Sequence, residues 1–179
     1  RIRKLEKDNI IQGYYTLLNI SKLGFITFKL MITFQNVDSA IEAEIIAYLK
    51  SDKNVGWLVS CDGHYNLMMV TWVRNTMLFD NFYKEFLKKY SKYIKERDIL
   101  IITENHACGK KYLFDKQTNY APDKYYRGEP ENNLDLTEFR IIKELANNSR
   151  VPLQSVSESM NLTSEAIAYR IKQLLKRDV

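Results

Sequence analysis

From Phe25 to Phe34 every second residue is apolar. Ile26, Phe28, Leu30, Ile32 and Phe34 fall on one side, and Phe25, Thr27, Lys29, Met31 and Thr33 on the other. Side chains alternate across an extended strand, so this stretch predicts a strand with one buried face, which needs a covering layer. Ile41, Ile45, Ile46 and Leu49 supply one. Their spacing marks an amphipathic helix, with Asp38 or Ser39 as its cap. Val55 to Ser60 reads as a strand, Cys61-Asp62-Gly63-His64 as a turn, and Tyr65 to Val73 as another strand. Thr76 to Tyr93 predicts a long helix. Leu78, Phe79, Phe82, Phe86, Leu87 and Tyr90 line one face, and Lys84, Lys88, Lys89 and Lys92 the other. Asp98 to Thr103 closes the series as a strand.

The order β-α-β-β-α-β predicts an α+β, ferredoxin-like domain of four antiparallel strands with two helices on one face, assigned to residues 20–108. Apolar residues make up 45% and charged residues 27% of the chain, the profile of a soluble protein. Apolar runs such as Ile99–Ile102 are strand-sized, so no membrane span is expected. The charged opening, Arg1-Ile-Arg-Lys-Leu-Glu-Lys, does not read as a signal peptide. Cys61 and Cys108 form no CxxC and have no His pair at zinc spacing, which predicts free thiols in a reducing cytoplasm and no metal site. No nucleophile–base pair or paired carboxylates stand out, so no catalytic residue, enzyme activity or cofactor is expected. The net charge of +5 permits a nucleic-acid partner without requiring one.

Residues 109–133, interrupted by Gly109, Pro122, Gly128 and Pro130 and dense in Tyr, Lys and Asp, read as a linker. Lys111–Phe114 can add an edge strand. Tyr112, Phe114, Tyr120, Tyr125 and Tyr126 suit packing on the sheet domain or, alternatively, base stacking. Three helical segments follow in residues 134–179. Asp135 to Asn148 carries Leu136, Phe139, Ile142 and Leu145. Pro152 to Met160 turns Leu153, Val156 and Met160 inward. After a tight turn at Asn161-Leu162, Thr163 caps a third helix running to about Lys176, with Ile167, Ile171, Leu174 and Leu175 inward. A short helix, a tight turn and a helix with a basic outer face is the helix-turn-helix pattern. Its candidate double-stranded DNA contacts are Thr163, Ser164, Glu165, Ala168, Tyr169 and Lys172, with Arg170 and Lys176 reaching phosphates on the flanks. A plain three-helix bundle with a solvated charged face is the other reading.

The C-terminal segment resembles the winged-helix domain of the Lrp/AsnC (feast/famine) transcription regulators. The residues that carry this are Leu134-Asp-Leu-Thr-Glu-Phe-Arg-Ile-Ile-Lys-Glu-Leu, Ser149-Arg-Val-Pro-Leu and Asn161-Leu-Thr-Ser-Glu-Ala-Ile-Ala-Tyr-Arg-Ile-Lys-Gln-Leu. In that family the winged helix precedes the ferredoxin-like domain, whereas here it follows. A self-match accounts for the order. Arg170-Ile-Lys-Gln-Leu-Leu-Lys-Arg-Asp-Val179 aligns with Arg1-Ile-Arg-Lys-Leu-Glu-Lys-Asp-Asn-Ile10, with Arg, Ile, Leu and Lys coinciding. Residues 1–19 are therefore expected to be the tail of a preceding winged unit. The chain then reads as a slice of a tandem array in a longer protein, with the wing of its own helix-turn-helix cut off at Val179.

The resemblance implies self-association through the sheet and binding of an amino acid or another small molecule at the loop between the central strands. That loop is Gly63-His64-Tyr65-Asn66, in which Asn66 stands where the family carries an acid. Asn66 offers no charge to an α-amino group, and His64 suits either a different ligand or a plain hairpin surface. The same architecture occurs in siroheme decarboxylases, whose His-bearing loop His64-Tyr65-Asn66-Leu67 resembles. An enzyme of that kind, or an assembly module without DNA binding, are the alternatives to a DNA-binding regulator.

Overall fold

The computed structural model describes residues 1–107, 123–125, 129–130 and 134–179. They fall into two compact units: Ile20–Pro130, and Arg1–Asn19 with Glu131–Val179.

The apolar stripe of Ile26–Phe34 does form a strand, β1, and Phe28, Leu30 and Ile32 are buried as their alternation predicts. The elements that follow are α2 (Ser39–Ser51), β2 (Val55–Ser60), β3 (Leu67–Val73), α3 (Thr76–Tyr90) with a 3-10 turn at Ser91–Tyr93, and β4 (Ile94–Ile102). A short helix, α1 (Ile2–Lys7), precedes them. The sheet runs β2-β3-β1-β4, antiparallel throughout, which is the ferredoxin-like order. Asp38 caps α2 by accepting from the Ile41 amide at 2.8 Å.

One side of the sheet forms the core. Phe28, Leu30, Ile32, Leu67, Met69 and Val73 meet Ile45 and Leu49 of α2 and Phe79, Phe82, Phe86 and Tyr90 of α3. Phe28 stacks on Phe79 with ring centroids 4.0 Å apart. The Tyr90 hydroxyl donates to Glu44 at 3.0 Å and ties α3 to α2. On the opposite side the register aligns Trp57, Val70, Lys29 and Leu100 in one row, and Val59, Met68, Met31 and Asp98 in the next. Trp57 is 47% exposed on that side.

Two differences from the sequence reading have physical causes. β4 begins at Ile94 rather than Asp98, through Lys95, Glu96 and Arg97. Edge strands accommodate charges that an interior strand does not, so the apolar alternation disappears there. In addition, Asn105–Ala107 (β5) pairs antiparallel with Asp123–Tyr125 (β6), so the expected linker carries a strand. Lys111–Phe114, Tyr112, Phe114, Tyr120, Tyr126 and Cys108 lie outside the described residues.

In the other unit, α4 (Leu136–Ala146), α5 (Leu153–Met160) and α6 (Ser164–Lys176) form the helix-turn-helix head. Helix α4 starts with a capping box. Asp135 accepts from the Glu138 amide at 2.7 Å, and the Glu138 carboxylate accepts from the Asp135 amide at 3.1 Å. Its buried residues are Glu138, Ile141 and Ile142, while Leu136, the first of the apolar row Leu136, Phe139, Ile142 and Leu145, is 82% exposed. Strict three-residue spacing lags the 3.6-residue turn, so the Leu136–Leu145 row drifts off the core. The buried Glu138 carboxylate is met by the Arg177 guanidinium.

The N-terminal segment belongs to this same unit. The Thr16 amide donates to the Ala146 carbonyl at 3.2 Å, and the Ser149 amide donates to the Tyr14 carbonyl at 3.0 Å. The Thr16 hydroxyl donates to the Leu145 carbonyl at 2.7 Å. Arg150 lies 3.6 Å over the Tyr14 ring and pairs with Glu6 at 3.2 Å, and the Tyr14 hydroxyl donates to Glu6 at 2.8 Å. Tyr14 and Thr16 thus bond the α4–α5 connection, in a stretch that forms neither helix nor strand.

Candidate nucleic-acid interface

The turn before α6 follows from its residues. Asn161 adopts the left-handed conformation (φ 54°, ψ 43°) that a short polar side chain tolerates best after glycine. The Leu162 amide then closes on the Ser157 carbonyl at 3.0 Å. Thr163 caps α6 by accepting from the Ala166 amide at 3.1 Å. Ile167 and Leu174 bury one face of α6. The helical period therefore points Ser164, Glu165, Ala168, Tyr169, Lys172 and Lys176 outward, and all six are exposed, as is Thr163. Tyr169 is 64% exposed. Leu175, expected inward, is exposed beside them.

Arg170 is placed differently from the rest. Its guanidinium bonds Asp135 at 2.5 Å and lies partly buried across the start of α4. The Asp135 carboxyl is held below the ordinary carboxylate range, first by the Glu138 backbone amide and then by Arg170. Arg170 therefore braces α6 against α4 instead of reaching outward from the flank. Ser164 is exposed, but its hydroxyl also lies 3.2 Å from that of Ser157. What remains on the outer face is the Tyr169 ring, two lysines, the Glu165 carboxylate, the hydroxyls of Thr163 and Ser164 and a small Ala168; the lysines can meet phosphates and the others base edges.

The residues expected to bind a small molecule sit on the β2–β3 hairpin of the ferredoxin-like unit. The Asn66 carboxamide oxygen accepts from the Phe34 amide at 2.8 Å, and the Asn66 amide donates to the Ile32 carbonyl at 2.8 Å. Asn66 thereby pins the hairpin to β1 where the β1–β4 register shifts. The His64 carbonyl accepts from Thr33 at 2.7 Å, while the His64 side chain is 69% exposed, 3.6 Å from Glu96. Tyr65 stands edge-on to His64 and donates to Asp98 at 2.5 Å, which raises the Tyr65 pKa. Gly63 forms the open tip, with open space where a β-carbon would lie. Glu96 and Asp98, not expected from the sequence as site residues, put carboxylates beside the aromatic pair, and Glu96 also lies 3.8 Å from Lys95. Their one sequence signal is the acid at every second position of an edge strand. Among the described residues no cluster of His, Cys, Asp and Glu could hold a metal ion. No helix among them is long and apolar enough to cross a membrane.

Residues 134–179 match the family described as winged helix-turn-helix DNA-binding. No curated protein matches the chain in sequence. Among solved structures it is similar to the siroheme decarboxylase NirDL, solved with an iron-uroporphyrin III analogue, at 15% identity and a TM-score of 0.63. That likeness covers 99% of this chain and 51% of NirDL, so the chain spans about half of NirDL's length. An AsnC family transcriptional regulator from Agrobacterium tumefaciens is similar at 17% identity and a TM-score of 0.49, over 67% of this chain and 70% of that one. AsnC of E. coli is similar at 18% identity and a TM-score of 0.49, over 58% and 68%.

Proposed function

We propose that this chain is part of a DNA-binding transcription regulator of Lrp/AsnC type, in which α6 reads a major groove and the ferredoxin-like unit assembles copies and senses a small molecule. The observation that carries the reading is the outer row of α6, with Thr163, Ser164, Glu165, Ala168, Tyr169, Lys172 and Lys176 held outward by a buried opposite face, inside a winged helix-turn-helix match. Thr163 caps the start of α6 and Arg170 bonds it to α4, so the orientation of the helix does not depend on DNA for these contacts. Lys172 and Lys176 supply phosphate contacts, and Tyr169 supplies the largest outward surface. For such a regulator we propose a cytoplasmic location, where its double-stranded DNA partner is found.

The open side of the sheet, with Trp57, Val59, Met68 and Val70, is the proposed dimer surface, which would set the spacing of the reading heads. At the hairpin, Gly63, His64 and Tyr65 with Glu96 and Asp98 suit a cationic or amine-bearing effector, and the acids of β4 provide the charge that Asn66 lacks. On this reading the chain is not an enzyme.

The test is fluorescence anisotropy of the full chain with labelled duplex DNA across a salt series. Binding should weaken steeply as salt rises, because each lysine–phosphate contact displaces counterions. Lys172→Ala should weaken binding and reduce the salt slope by about one. Tyr169→Ala should weaken binding with the slope unchanged. Unchanged affinity in both variants would remove α6 from the interface.

The coverage of NirDL over nearly the whole chain favours a second reading, an enzyme on the siroheme-decarboxylase scaffold. The acidic surroundings of His64 argue against it, since Glu96 and Asp98 repel the carboxylates of a tetrapyrrole. Incubation with siroheme, followed by absorbance, separates the two. A shifted absorption band that His64→Ala abolishes would favour the enzyme.

A further inference from the structure

The side-chain charges of residues 131–179 cancel, with seven Lys or Arg against seven Asp or Glu. Arg150, Arg170 and Arg177 are moreover engaged with Glu6, Asp135 and Glu138. Duplex DNA is held chiefly by cations that neutralise its phosphates, so a balanced head has little general attraction for it. The same compact unit includes residues 1–19, which carry four Lys or Arg and two Asp or Glu. The excess positive charge of the unit therefore comes from its N-terminal segment.

That charge is arranged on α1 as it is on α6. In the aligned segments Arg1–Ile10 and Arg170–Val179, Arg3 matches Lys172 and Lys7 matches Lys176. The match extends to conformation. Helix α1 stops at Lys7 and α6 at Lys176. The Asp8 amide then bonds the Lys4 carbonyl at 2.8 Å, and the matched Arg177 amide bonds the Gln173 carbonyl at 3.1 Å. Asn9 and Asp178 both turn left-handed, at φ 55° and 62°. The Ile10 amide closes on the Leu5 carbonyl at 2.9 Å, and the Val179 amide on the Leu174 carbonyl at 3.2 Å. The helical period puts Arg3, Lys4 and Lys7 on one side of α1 and Leu5 on the other, as it puts Lys172 and Lys176 opposite Leu174 in α6. Arg3, Lys4 and Lys7 are exposed, and none of them forms an ion pair among the described residues. The helix is anchored through Glu6, which takes Arg150 and the Tyr14 hydroxyl, so the three cations stay available.

We propose that Arg3, Lys4 and Lys7 form a second DNA-binding face, which holds phosphates of the duplex that α6 reads. The inference rests on the DNA-binding reading of this unit. The face adds affinity without base selection, because contacts to phosphates carry no sequence information.

The test is fluorescence anisotropy of the full chain with labelled duplex DNA across a salt series. Arg3→Ala with Lys7→Ala removes two cations and leaves Glu6, Arg150 and the helical tendency of α1 in place. This variant should bind about tenfold or more weakly at low salt, with its salt slope lower by about two. Lys50→Ala with Lys88→Ala removes the same charge from exposed positions on α2 and α3, and should change neither quantity. Arg3→Lys with Lys7→Arg keeps the charge and should bind as the parent does. An α1 double-alanine variant that loses no more affinity than the α2–α3 control, while Lys172→Ala still weakens binding, would overturn the second face and leave α6 as the reading helix. Loss of affinity in the α1 variant alone, with Lys172→Ala and Tyr169→Ala unchanged, would uphold this face and remove α6 from the interface. No binding by the parent chain would end both.

Discussion

Glu138 shows what a single buried side chain does in the head. Its carboxylate bonds the Asp135 amide and the Arg177 guanidinium, so removing Arg177 leaves a buried charge without its cation. Arg177→Ala should lower the stability of the head by about 2 kcal/mol, read as faster hydrogen exchange in α4. Asp135 acts beside it. Its folded pKa is depressed, so its contribution is present above the unfolded value of about 4 and is lost as pH falls through the lower folded value. Acid should therefore loosen the head in that window, and Asp135→Asn should flatten the loss. A near-neutral α4 cap, measured by helix signal against pH in both chains, should distinguish the two. Neither partnership was legible in the sequence. Arg177 lies 39 positions from Glu138 and Arg170 lies 35 from Asp135, and helical periodicity reports only neighbours three and four apart.

At the scale of elements, what periodicity encodes was legible. The stripe of β1, the caps at Asp38 and Thr163, the left-handed Asn161 and the outward row of α6 follow from two periods and a few capping residues. Elements shaped by position in the sheet were not, and β4 with its charged first half is the example. Gly56 illustrates a further limit. A β-carbon there would fall 2.2 Å from the Trp72 ring, at the point where the β2–β3 register slips. Nothing in Val55-Gly56-Trp57 announces that contact. Gly56→Ala should displace Trp72 and cost about 1–3 kcal/mol, seen as a changed tryptophan fluorescence and a lowered unfolding midpoint. Asn161→Ala should cost about 1 kcal/mol, whereas Asn161→Gly should retain the turn, as a denaturant titration of the two variants can establish.

For the whole molecule, the ferredoxin-like unit could be read from element order, because local patterns specify it piece by piece. The assignment of residues 1–19 to the same unit as 134–179 could not, since it depends on bonds across most of the chain. If copies assemble through the open sheet side, Trp57→Glu should shift the sedimentation of the chain toward monomer without lowering the helical signal. An unchanged oligomer would exclude that face. The discontinuity of the unit formed by residues 1–19 and 131–179 also orders events in time. On a ribosome the segment 20–130 has emerged and can fold while the residues that seat Tyr14 and Thr16 are still being made. Residues 1–19 cannot dock until those seat residues have been made, and the loop that this docking closes is long.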